Sequence, residues 1–137
     1  MLDIGASNVD LVLAAHDAYN AGDLDALSDL WAPDIEVLPD ASLFPESSPL
    51  HGRDQLRRWL EEAGSAWTAA RNETVEVYAV GPHRVLHRGE WGGEGAASGI
   101  ETLSSVTTIY TIRDGQFTRV EYYFDHDRAL KAVGLGE

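Results

Sequence analysis

Two short punctuation marks constrain this chain more than any other feature. Near the start, Ala21-Gly22-Asp23 interrupts a helical pattern that runs from Val9 to Leu30. Near the end, Asp114-Gly115 joins two β-rich runs, Ile100 to Ile112 and Gln116 to Phe124. An Asp-Gly pair between such runs signals a hairpin, because the favoured turn needs positive φ at both central residues. Helices therefore lead and a hairpin closes.

The segments between follow from local chemistry. Ser7 and Asn8 can cap the first helix, whose Leu11, Val12, Ala15, Ala18 and Tyr19 share one face. Gly22 suits a left-handed helix end and Asp23 can cap a second helix at once. Leu24, Leu27, Leu30 and Trp31 make the buried stripe of that helix, and Pro33 stops it. Ile35 to Pro39 alternates as a strand, and Asp40 to Gly52 reads as loop. Arg53 to Ala63 reads as a third helix with Leu56, Trp59, Leu60 and Ala63 facing inward. Strands follow over Asn72 to Val80, with Val75, Val77 and Ala79 on one face, and over Arg84 to Trp91, with Gly81-Pro82 turning the chain between them. Gly92 to Gly99 is glycine-rich and reads as a hairpin tip. Asp125 can cap a short terminal helix reaching Val133. The order predicts one α+β domain over residues 1–137: a curved antiparallel sheet wrapped around N-terminal helices, a cone with a cavity at its open end.

Composition removes several function classes. The chain has 137 residues, 44% of them apolar, enough for one core. Its formal net charge is −13, so phosphate backbones and anionic membrane surfaces are poor partners. It holds no cysteine, which excludes disulfides, thiolate metal sites and thiol nucleophiles. The first residues carry neither a basic start nor a long apolar run, which points to a soluble cytoplasmic protein without a membrane span.

Three local matches carry a resemblance. They are Tyr19-Asn20-Ala21-Gly22-Asp23-Leu24 with Leu30-Trp31-Ala32-Pro33-Asp34, then His51-Gly52-Arg53-Asp54-Gln55-Leu56, then Asp114-Gly115-Gln116-Phe117 running to Tyr123-Phe124-Asp125. With them the chain resembles the nuclear transport factor 2-like superfamily, in its SnoaL-like branch, which shares the fold of polyketide cyclases and ketosteroid isomerase. The resemblance implies a homodimer through the convex sheet face, expected to be apolar because Thr107 and Ile109 lie opposite Thr108. It does not carry over the relatives' acid–base groups. The ketosteroid isomerase Tyr falls at Ala15, its Asp base at Pro39 and its protonated Asp at about Thr108. The polar site of limonene epoxide hydrolase falls at Val37, Pro39, Gly89, Trp91 and Tyr122. The His and Asp of the cyclases fall at Thr108 and Tyr122.

Strand alternation then furnishes the cavity. With Thr108 and Tyr122 inward, Val106, Tyr110, Val120 and Phe124 are inward too, and His87, Gly89 and Trp91 share the neighbouring face. The expected ligand walls are Tyr19, Trp31, Val37, Trp59, Trp91, Val106, Tyr110 and Phe124, a lining for a flat or bulky apolar molecule with one or two oxygens. His87 is either a general base or a histidine satisfied by a backbone or tyrosine partner. Tyr122 either donates to a developing oxyanion, with Thr108 beside it, or is wall. Asp40 enters the cavity only through a one-residue slip or bulge, and otherwise points outside. His51 is either at the cavity mouth or a plain loop residue. His126, Asp125 and Asp127 are adjacent and cannot all converge on one ion, so no metal or cofactor is expected. Two readings stay open. One is a cofactor-independent isomerase, cyclase, hydratase or hydrolase acting on an apolar oxygenated metabolite. The other is a noncatalytic ligand-binding or dimerisation module.

Overall fold

A computed structural model describes residues 4–38, 49–64, 67–95 and 101–134. In chain order the elements are α1 (Ile4–Asn20), α2 (Leu24–Ser28), β1 (Trp31–Leu38), β2 (Leu50–His51), α3 (Arg53–Gly64), β3 (Trp67–Val80), β4 (Arg84–Gly95), β5 (Glu101–Arg113), β6 (Gln116–Tyr123) and α4 (His126–Ala132). The six strands form one curved sheet in the order β2-β1-β6-β5-β4-β3. Strands β3 to β6 make an antiparallel meander, and β1 joins it parallel to β6. The α+β class read from the sequence is the one observed.

Both punctuation marks behave as their chemistry requires. Gly22 has φ 74°, and the amides of Gly22 and Asp23 bond back to the carbonyls of Tyr19 and Ala18, closing α1 in a Schellman motif. Asp23 Oδ1 then accepts from Ala26 N at 3.0 Å and starts α2. Asp114 and Gly115 have φ of 53° and 74°, the pair of positive values that a two-residue hairpin turn uses.

Other expectations need correction. α1 begins at Ile4, so Asn8 lies inside it and caps nothing; its side chain donates instead to Pro82 O. α2 stops at Ser28, well before Pro33. Leu30 lies in the turn between α2 and β1, where its carbonyl accepts from Phe117 N, and Trp31 opens β1. Pro33 sits within β1 where its register against β6 shifts, a stretch that tolerates the missing N–H. Leu50–His51 is a short strand rather than loop. Gly92 to Gly95 is strand as well, held between β3 and β5; residues 96–99 lie outside the described set. A bulge between Thr74 and Glu76 turns Val75 out to solvent, away from Val77.

Two apolar clusters hold the sheet from opposite sides. On the inner side Val12, Leu27, Ile35, Leu56, Val85 and Phe117 pack together beneath α1, α2 and α3. Each such side chain contributes about 2 kcal/mol on burial. On the outer side α4 lays Ala129 and Val133 over Leu86 and Ile109. The convex face is therefore not the open apolar surface the sequence suggested. Its apolar part is covered by α4, and Glu36, Arg119 and Glu121 form an ion-pair network beside it.

Candidate functional site

The inner face of the sheet brings three sequence candidates, His87, Thr108 and Tyr122, into line. In β-ladder register Val77 stands opposite His87, His87 opposite Thr108, and Thr108 opposite Tyr122. The next row runs Val85, Tyr110, Val120, Val37. Gly89 stands opposite both Thr74 and Val106, and Trp91 opposite Asn72.

His87 and Thr108 are both fully enclosed, at 0% exposure. His87 Nε2 lies 2.8 Å from Thr74 Oγ1. Its ring is stacked face to face on His16 of α1, with centroids 3.7 Å apart and planes 7° from parallel. His16 Nε2 lies 2.9 Å from the Tyr110 hydroxyl. Burial lowers the His87 pKa to about 4. Burial, with the neighbouring His87, lowers that of His16 to about 3. Both imidazoles are thus neutral near pH 7. Burial also raises Tyr110 and Tyr122 above the ordinary phenol value, with phenol–phenol repulsion adding to the rise. The centre of the site is polar and uncharged.

Aromatic side chains stand around it. The Tyr122 ring is half-buried and lies 5.4 Å from Trp59 on α3. Trp91 Nε1 donates to the Tyr19 hydroxyl at 2.7 Å, and Tyr19 and Trp91 are half-buried too. Burial raises the Tyr19 pKa, and the bond from Trp91 opposes it. Phe124 follows β6 and is half-buried. Tyr110 packs on Phe117, with centroids 4.9 Å apart. Trp31, Val37 and Val106 are buried. Trp31 also gives its carbonyl to the Arg53 guanidinium.

The remaining candidates lie elsewhere. Asp40 falls outside the described residues. His51 is exposed, 4.0 Å from Glu36. Asp125 caps α4, accepting from Asp127 N at 3.0 Å. His126 Nδ1 meets Thr107 Oγ1 at 2.8 Å, tying α4 to the outer face. Among the described residues no three His, Cys, Asp or Glu side chains gather as metal ligands.

Sequence reasoning missed His16, Asn72 and Thr74. A signal for His16 was present: it lies four residues after Val12 and three before Tyr19, on the stripe already assigned inward. Asn72 is 8% exposed, and its backbone N and O are both bound by the Asn20 side chain, at 2.7 and 3.0 Å. Four buried side-chain atoms find no hydrogen-bond partner among the described residues: His16 Nδ1, His87 Nδ1, Asn72 Oδ1 and Thr108 Oγ1.

A sequence profile of the SnoaL-like domain matches residues 12–120. No curated protein matches. Among solved structures, a candidate polyketide cyclase from Sinorhizobium meliloti is 27% identical over 83% of this chain and 94% of its own, with a TM-score of 0.67. A candidate SnoaL-like polyketide cyclase from a Jannaschia species is 18% identical over 100% of this chain and 98% of its own, with a TM-score of 0.77. A protein with a ketosteroid isomerase-like fold from Catenulispora acidiphila, crystallised with trimethylamine, is 19% identical over 91% of this chain and 92% of its own, with a TM-score of 0.71.

Proposed function

From the premise that the chain belongs to the SnoaL-like domain family, we propose that it binds an uncharged, apolar, oxygen-bearing small molecule against the inner face of its sheet. One observation supports this above others. The polar groups of that face are a set of neutral imidazoles and phenols, flanked by the half-buried rings of Tyr19, Trp59, Trp91 and Tyr122. Neutral donors and acceptors beside aromatic walls suit a flat molecule with one or two oxygens. Tyr122 is half-buried where its row neighbours His87 and Thr108 are enclosed, and in this reading it donates to a ligand oxygen, with Thr108 behind it. The acidic surface disfavours phosphorylated ligands. Native mass spectrometry of protein purified from its own host tests the reading: a co-purified ligand is expected. Bare protein mass, together with crystals showing only side chains around Tyr122, sinks it.

A second reading rests on His87. Burial lowers its pKa to about 4, so the imidazole is neutral at pH 7 but a weak base. An isomerase, cyclase or hydratase working without cofactor would need a conformation in which substrate reaches the enclosed ring. His87→Gln separates the two readings. A catalytic base predicts that turnover of the co-purified ligand is lost while binding remains; a binder predicts no turnover in either form. The homodimer and the cytoplasmic location belong to the same proposal. Sedimentation at micromolar concentration tests the first: a single monomeric species refutes it.

A further inference from the structure

His87 and Thr108 present a paradox as ligand-contacting groups. Both are at 0% exposure, so no second molecule touches either while the surrounding side chains stay in place. What encloses His87 is a flat ring, His16 of α1, stacked at 3.7 Å. That ring makes one hydrogen bond, between its Nε2 and the Tyr110 hydroxyl. Its Nδ1 has no partner among the described residues.

The closed arrangement is also poorly satisfied around it. His87 Nδ1, Asn72 Oδ1 and Thr108 Oγ1 are buried without partners among the described residues. These atoms belong to one cluster. A Cβ built on Gly89 would collide with Asn72 Oδ1 and lie 2.8 Å from His87 Cε1, so the two side chains crowd a single spot. Thr108 stands opposite His87 in register. Buried polar atoms in native proteins are nearly always bonded, and a group left without a partner carries a free-energy penalty. Here three stand together behind one ring, and the ring itself carries a fourth.

We propose that the His16 imidazole is a plug, standing where the ring of a planar, neutral aromatic ligand sits when bound. Such a ring would stack on His87 as His16 does, and an oxygen or nitrogen on its edge would meet the Tyr110 hydroxyl in place of His16 Nε2. A hydroxyl on the ligand can pair with the Tyr110 hydroxyl in either direction, because each both donates and accepts. The ligand class is then phenol-like or heteroaromatic, not aliphatic and not anionic. His16 swings aside by side-chain rotation, and the cost of moving it lowers the apparent affinity. The inference rests on the small-molecule reading above and adds where the ligand ring goes and what it displaces.

The test uses 2-naphthol as probe, with binding followed by calorimetry and the fold checked by circular dichroism. In wild type we expect weak binding and, in the complex, loss of the His16–His87 stack, seen in crystals or by ring-proton NMR. His16→Ala removes the plug and is expected to bind about tenfold tighter. His16→Trp keeps the place filled and is expected to bind weaker. A folded His16→Ala with equal or weaker affinity overturns the inference. So does a wild-type complex in which His16 remains stacked on His87, a result that leaves the small-molecule reading standing. Absence of binding in wild type and in folded His16→Ala alike overturns both. Should His16→Ala fail to fold, the position of His16 in the wild-type complex decides by itself.

Discussion

At the scale of single residues, the stacked histidines tie the interior to pH. Their pKa values in the folded chain, about 3 for His16 and about 4 for His87, lie below the ordinary imidazole value of 6.5. Between those values the unfolded chain binds more protons than the folded one, so stability rises with pH there. The contribution is complete above about pH 6.5 and is lost as pH falls through about 4 and then about 3. Unfolding free energies from urea titrations at pH 7.5, 5.5 and 4.5 should therefore fall in that order, by an amount on the order of a few kcal/mol over the range. His16→Phe, which keeps a flat ring without a proton site, should flatten the trend; an unchanged slope would show that other groups carry it. Gly89 is the second informative residue. An added Cβ would lie 2.8 Å from both Glu73 O and His87 Cε1, and one of those neighbours is backbone. Gly89→Ala should cost about 1–3 kcal/mol by overpacking, read as a lower denaturation midpoint. His87 could be placed inward from sequence because strand alternation links it to Thr108. His16 was legible by its spacing from Val12 and Tyr19 but was passed over, because the stripe of α1 was assigned by its apolar members alone.

At the scale of elements, α1 is pinned to the edge strand β3 by one side chain. Asn20 holds both the N–H and the C=O of Asn72, as a neighbouring strand would. Asn20→Ala frees both groups in a part-buried place and should cost about 1–3 kcal/mol. Hydrogen exchange at the Asn72 amide is the direct measure: protection as in wild type would mean the clamp carries no weight. Helix stops and hairpin turns were legible because Gly22, Asp23, Asp114 and Gly115 act through their own backbone preferences. The β1–β2 region was not. Pro33 reads as a terminator in any local window, and only pairing with β6, far along the chain, makes its segment a strand. The bulge that turns Val75 outward was equally hidden, since a period of two assumes that no residue is skipped.

At the scale of the whole molecule, charge and layering set the behaviour. A formal charge of −13 on 137 residues makes the compact state repel itself. Raising sodium chloride from about 20 mM to about 0.5 M shortens the Debye length several-fold and should raise the melting temperature by a few degrees. A melting temperature that falls with salt would show that surface ion pairs such as Arg57 with Asp25 and Glu61 dominate instead. The α+β class was legible because helices and strands are segregated along the chain. The third layer was not, because a short terminal helix gives no sign of which face it will cover. α4 is the element that separates an apolar outer face from the one observed.

The parallel pairing of β1 with β6 also governs how the chain must be made. Trp31 aligns with Phe117, and Val37 with Val120, so an early segment has no sheet neighbour on that side until a late one exists. A ribosome must release most of the polypeptide before this seam can close. The β3–β5 meander, with its near neighbours, can assemble while β1 still waits. Truncated or stalled products therefore carry an unzipped strand rich in Trp31, Ile35 and Val37, the kind of edge that chaperones are called on to shield.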